Sequence, residues 1–147
     1  MRNNQKIWTI ITILATIGIG LAVYLFYSYL VPNPPQFCTI NATINCEAVT
    51  KGPLAEWYGV PVSLVGLIGY VIILGSALSK KLNLALGMTT FGMLFCLRLT
   101  YLEIFSEKVL CPVCLTCQII MLTIFLLLIW MKTRPTDSAE AASTEAE

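Results

Sequence analysis

The chain has 147 residues, of which 57% are hydrophobic and 12% charged, with a mean hydropathy of +0.80. That composition excludes an ordinary soluble domain. The net charge of +1 comes with no basic patch to support a nucleic-acid partner, and the absence of histidine removes the commonest general base and any histidine-ligated haem.

Four apolar runs are long enough to cross a bilayer, which takes roughly 20 residues each. They are Ile7 to Val31, Pro61 to Leu78, Leu82 to about Phe105, and Leu110 to Met131. The first run is too long for a signal peptide and lacks a clean small-x-small cleavage site, so it reads as a retained anchor. Glycines inside the runs, among them Gly18, Gly69 and Gly92, suit close helix packing in a membrane. The expected fold is therefore an all-α integral membrane protein. It is one four-helix domain over residues 1–132, followed by a small, polar, acidic and disordered tail at 133–147.

Between the first two runs lies a polar loop. Pro32-Asn33-Pro34-Pro35 ends the first helix, because proline removes a donor and restricts the residue before it. Asn45 suits the N-cap of a short helix from Cys46 to Lys51, with Glu47 in its first turn and Gly52-Pro53 ending it. Trp57 and Tyr58 follow, residue types suited to the bilayer interface. The short helix and its aromatic followers are expected to lie across the mouth of the bundle as a lid.

The basic residues orient the chain. Arg2, Lys6, Lys80, Lys81, Lys132 and Arg134 are six of the nine, and all fall on one side of a four-span topology. The positive-inside rule then makes both termini cytoplasmic. The loop from Pro32 to Val60 and the turn before Cys111 face the exterior, so both cysteine pairs lie on the oxidising side.

Cys111-Pro112-Val113-Cys114 opens the last run, with Cys111 at the N-cap and Pro112 at the first helical position. Backbone N–H groups and the helix dipole at that end stabilise a thiolate. Cys114 lies one turn deeper, within reach of an apolar molecule. Taken alone, this pair also reads as a static disulfide or as two buried thiols. Cys38 and Cys46, seven residues intervening, read equally as a loop staple or as a redox pair. Two pairs at one membrane face tip the balance toward electrons passing between thiols and something dissolved in the bilayer. Cys96, in mid-helix, is expected to be a small core residue. Cys117 extends the motif to C-x-x-C-x-x-C, which invites a metal. Zinc and iron–sulfur sites need four ligands, and three thiols spaced along one helix wrap a cluster poorly. No metal is expected, and the rival reading is a four-span scaffold with structural disulfides or a soft-metal site.

Cys38-x7-Cys46, then Trp57-Tyr58-Gly59-Val60-Pro61-Val62-Ser63, Tyr101 and Cys111-Pro-Val-Cys114, together resemble the vitamin K epoxide reductase family, in its bacterial and archaeal branch. The resemblance spans about residues 7 to 131. It implies a four-helix bundle around a quinone (ubiquinone, menaquinone or similar), with Cys38 and Cys46 as a shuttle pair. Cys111 would exchange with the shuttle, and Cys114 would be nearest the quinone. Trp57, Tyr58 and Gln118 are expected at the quinone site beside Cys114. Where vertebrate members carry an Asn and a Tyr that hold the quinone, this chain has Ala55 and Gln118; Gln118 retains a donor and Ala55 does not. Members with a fused thioredoxin-like domain carry it after the last span. Here a short tail follows, so the implied partner is a separate extracytoplasmic thioredoxin-like protein. The implied reaction is quinone-linked thiol oxidation that supports disulfide formation.

Overall fold

The computed structural model describes residues 2–33, 37, 40–53 and 55–133. Its elements, in chain order, are α1 (Arg2–Leu30), α2 (Cys46–Lys51), β1 (Glu56–Trp57), β2 (Val60–Pro61), α3 (Val62–Leu78), α4 (Leu82–Leu102) with a π-helical turn (Glu103–Glu107), and α5 (Pro112–Thr133). The expected tail lies outside the described residues beyond 133, as does Cys38.

Three of these helices are long and apolar enough to cross a membrane, α1, α4 with its π turn, and α5. At 17 residues α3 is shorter. A rise of 1.5 Å per residue gives it about 26 Å, against about 30 Å of bilayer hydrocarbon. Helix α1 packs against α3 and α5, α3 against α4, and α4 against α5. The buried stripe of α1 runs through Ile7, Ile11, Ala15, Ala22 and Leu25, spaced by three, four and seven. Its other faces are also apolar, with Ile13, Ile17 and Val23 exposed, as are Leu94 on α4 and Ile119 and Leu126 on α5. Exposed aliphatic surface on every side of long helices is what lipid contact requires.

Hydroxyls inside these helices bond to their own backbone. Thr12 donates to Trp8 O (2.9 Å), Thr16 to Thr12 O (2.8 Å), Ser76 to Ile72 O (2.7 Å), and Thr89 to Ala85 O. Where water is absent a hydroxyl must be satisfied internally, and the carbonyl one turn back is the nearest acceptor.

One close approach fixes the α1–α3 packing. A Cβ on Gly18 would lie 2.3 Å from Cε1 of Tyr70, whose hydroxyl in turn donates to Cys117 O at 2.7 Å. Glycine at 18 therefore lets one ring tie α1, α3 and α5 together. Helix α3 ends at a tight connection in which Lys80 is left-handed (φ 54°), Lys80 N–H donates to Ala77 O, and Lys81 N–H donates to Ser76 O. These two bonds satisfy carbonyls that the helix end would otherwise orphan.

The chain between α2 and α3 holds an element that the sequence reading did not name. Trp57 and Tyr58 belong to a two-stranded hairpin, with Trp57 paired to Val60 and Glu56 to Pro61. Tyr58 (φ 53°) and Gly59 (φ 81°) form its tip. Positive φ at both central residues is the turn whose twist matches that of paired strands. Glu56 accepts a hydrogen bond from the Tyr29 hydroxyl at 2.5 Å, which ties the hairpin to the end of α1.

Candidate thiol-exchange site and adjoining cavity

The site is assembled by a register rather than by a single helix. Ile44 and Leu110 form an isolated parallel bridge: Leu110 N–H donates to Thr43 O at 2.7 Å, and Asn45 N–H donates to Leu110 O at 3.3 Å. This clip lays the start of α2 beside the start of α5. Asn45 then caps α2, its Oδ1 accepting from Glu47 N–H at 2.9 Å, and α2 runs over the Cys46–Lys51 span expected from sequence. A Lys51–Glu47 ion pair at 3.3 Å closes the turn on its exposed face.

The consequence is that Cys46 and Cys111 meet. Their Sγ atoms lie 3.2 Å apart, with Cys46 5% exposed and Cys111 fully buried. They form a small apolar cluster with Leu25, flanked by Tyr24, Val49, Val113 and Cys114. Cys46 is held in a disulfide, whereas Cys111 and Cys114 are free thiols. A disulfide bond is about 2.05 Å long, so little more than 1 Å of approach separates this contact from a bond.

Cys111 directly precedes α5, and Pro112 is that helix's first residue. The backbone N–H of Cys114 donates to Cys111 Sγ at 3.4 Å. The Cys114 side chain, also hydrogen-bonded to this sulfur, is the largest influence holding the Cys111 thiol below its ordinary range. Burial opposes the shift, and the N–H groups of Cys114 and Val113 support it. Cys111 is thereby favoured as the thiolate, the form that attacks sulfur.

Cys114 faces the other way. It lies on the wall of an apolar cavity of ≈ 1020 Å³, open mouth included, walled by α1, α3, α4 and α5 and touched by Val49 and Thr50 of α2. Phe91, Phe95, Leu99 and Met121 give the wall its apolar character. Few polar side chains reach it, and Gln118, Thr100 and Glu103 are among them. Gln118 Oε1 accepts from the Thr100 hydroxyl at 2.5 Å, which leaves the amide N–H₂ as a donor. Ala55 also lines the cavity.

The remaining expected residues fall elsewhere. Trp57 and Tyr58 are not on the cavity wall. Trp57 packs on Phe95 (ring centroids 5.7 Å apart) beneath the Arg98 guanidinium, 5.7 Å from its ring centre, while Tyr58 is 93% exposed at the hairpin tip. Cys96, expected as a small core residue, and Cys117, expected as a structural extra to the motif, both line the cavity. Glu103 escaped the sequence reading. The available signal was an acidic residue near the end of an apolar run, which is expensive in a membrane and marks function by default.

The family comparison agrees with this geometry. A protein-family model described as the vitamin K epoxide reductase family matches residues 9–129. That span contains both cysteine pairs, the hairpin and the cavity-lining helices. Its members are membrane thiol oxidoreductases linked to quinones, which fits free thiols set between a buried sulfur contact and an apolar cavity. The chain belongs to the vitamin K epoxide reductase family.

Proposed function

We propose that the protein is a quinone-dependent thiol oxidoreductase that passes electrons from a reduced thioredoxin-like partner through Cys38/Cys46 and Cys111/Cys114 to a quinone. Its helices α1, α3, α4 and α5 are read as a four-span bundle over residues 1–132, with α2 and its loop as a lid. Both termini are read as cytoplasmic and the cysteines as facing the opposite, oxidising side, with 133–147 as a tail. The observation that carries the reading is the division of labour in one helical turn: Cys111 touches Cys46 at 3.2 Å, and Cys114 lines the cavity.

The chemistry follows in two halves. A partner dithiol reduces the Cys38–Cys46 disulfide and leaves oxidised. The Cys46 thiolate then attacks Cys111 of the Cys111–Cys114 disulfide, forming a Cys46–Cys111 bond and releasing Cys114. Cys38 resolves that bond, which restores the loop disulfide and leaves Cys111 and Cys114 reduced. When bound, a quinone supplies the acceptor, taking up two electrons and two protons. Cys114 gives up the electron pair as its sulfur closes again on Cys111. The cavity fits such a ring in apolarity. Gln118 offers an N–H donor, the Phe95 and Met121 side chains offer apolar contact, and the walls exclude water.

The test is quinone reduction by the purified protein in detergent or vesicles. Cys111→Ala and Cys114→Ala should both fall to the uncatalysed rate. Cys38→Ala and Cys46→Ala should stop oxidation of a thioredoxin-like protein, while a small membrane-permeant dithiol still drives turnover. Full quinone reduction by Cys114→Ala would rule out the electron path. Equal loss with both reductants in the loop variants would make Cys38 and Cys46 a staple.

A further inference from the structure

Glu103 is 1% exposed, and its Oε2 is buried without a hydrogen-bond partner among the described residues. It lines the same cavity as Cys114. The Cys111 backbone N–H and the Cys114 thiol lie alongside its carboxyl. Among the described residues, the titratable groups that interact with it are thiols, Cys96 from its own helix and Cys111 and Cys114 from the α5 side. Among the described residues the ion pair found is Lys51–Glu47, so no cation neutralises this acid.

The backbone places it there deliberately. Helix α4 widens into the π turn Glu103–Glu107, and the turn closes on Lys108, left-handed at φ 51°, with the N–H groups of Lys108 and Val109 both donating to Glu103 O. π turns of this kind are frequent at functional sites. A structural role would call for a partner on both carboxyl oxygens, because an unsatisfied buried polar atom destabilises the fold. A side chain that serves only packing would not carry that cost, and a leucine or methionine would fill the same space.

We propose that Glu103 is the proton carrier between Cys114 and the bound acceptor. The inference rests on the quinone reading above. As the Cys111–Cys114 bond forms, the S–H bond of Cys114 breaks, and both electrons leave for the quinone. The Glu103 carboxyl gives its proton to a quinone oxygen and takes the Cys114 proton in its place. The second proton, released earlier by Cys111 when it became a thiolate, is made up from water at the loop side and reaches the other quinone oxygen through the open mouth of the cavity. Two electrons and two protons leave the dithiol, and the same number reach the quinol. On the apolar wall beside Cys114, the carboxyl placed to relay the first proton is Glu103.

The test uses Glu103→Gln and Glu103→Asp in the full chain. Glu103→Gln is nearly isosteric and removes an unpaired acid, so it should fold and retain Cys46–Cys111 exchange with a small dithiol. Its quinone reduction should fall about 10²- to 10⁴-fold, the range for a lost acid–base group, with a flattened pH–rate profile, and Glu103→Asp should recover part of the rate. A second readout needs no quinone. The infrared spectrum should carry a buried carboxyl band that is absent in Glu103→Gln and that shifts when Cys114 is alkylated. An unchanged rate in Glu103→Gln, where the parent protein turns over, would overturn the proton-carrier role. A carboxyl band indifferent to Cys114 would overturn it as well. A parent protein that never reduces quinone would instead sink the functional reading, while the infrared result would still decide whether Glu103 exchanges protons with Cys114. Should Glu103→Gln fail to fold, Glu103→Met, which fills the space without a titratable group, decides instead: a parent-like rate and pH profile there would overturn the proposal.

Discussion

Two faces of the first turn of α5 have opposite designs. On the Cys111 face everything touches: a sulfur at 3.2 Å, an apolar cluster around it, and a clip of two backbone hydrogen bonds holding the loop in place. On the Cys114 face lies an apolar cavity with a few polar groups in its wall, ≈ 1020 Å³ with its open mouth included. The contrast tracks the reactions each face can support. Thiol exchange needs sulfur in line with sulfur and nothing between them, whereas a diffusing ring needs a cavity it can enter and leave. One helical turn separates the two, so in the proposed path electrons would cross from the crowded face to the open one through a bond between neighbours in the same motif.

The largest way to break this division is to spoil the packing that forms the cavity wall. Gly18→Ala would place a methyl 2.3 Å from the Tyr70 ring, which cannot retreat without losing its bond to Cys117 O. Overpacking of this kind costs roughly 1–3 kcal/mol, so thermal unfolding in detergent should occur at clearly lower temperature. Gly92→Ala is the internal control. Its Cβ would meet Met121 Cε at 2.9 Å, the flexible end of a side chain that can swing aside into the cavity. That variant should unfold close to the parent temperature but bind quinone more weakly. Equal destabilisation by the two would mean that the ring and the thioether are equally constrained, contrary to this account.

The electrostatics of the crowded face give a smaller, graded effect. The hydrogen bond from Cys114 is the largest influence lowering the Cys111 pKa. A lowered pKa means that, between the folded value and the ordinary thiol value of about 8.5, Cys111 is an anion where an unperturbed thiol is not. Thiolate absorbance in the ultraviolet, taken as the difference between the parent and Cys111→Ser, should therefore rise at lower pH than for a free thiol. Cys114→Ala should move that rise upward. A titration midpoint unmoved by Cys114→Ala would show that the helix N-terminus alone sets the value.

The smallest expected effect is at the rim. Arg98 over Trp57 is a partly exposed cation–π pair worth about 0.5–1 kcal/mol. Arg98→Gln should lower stability by no more than that and leave small-dithiol turnover intact, because neither residue lines the cavity. A large loss of quinone reduction would assign the hairpin a direct part in holding the ring.

How much of this was readable in the chain varies by the range of the interaction. Local rules held to the residue: Asn45 caps α2, Cys46 begins it, and Pro112 begins α5 behind Cys111. The hairpin at 56–61 went unread because Tyr58-Gly59 lacks the Asn-Gly or Asp-Gly pair that announces such a turn, and because aromatic residues near a membrane suggest anchoring first. The Ile44–Leu110 clip joins positions far apart in sequence, so no periodicity could reveal it. Glu103 was hidden differently: hydropathy averaged over a run absorbs one carboxylate without trace, and only the geometry turns it toward Cys114.

The central claim is that the two cysteine pairs communicate through Cys46 and Cys111, and a trapped intermediate tests it most directly. Cys114→Ala removes the thiol that competes for Cys111, so the Cys46–Cys111 disulfide should accumulate. After free thiols are blocked and the protein is digested, mass spectrometry should find the Cys46 and Cys111 peptides joined. Cys111 joined chiefly to Cys117, or no link to Cys46 under any redox condition, would contradict the account.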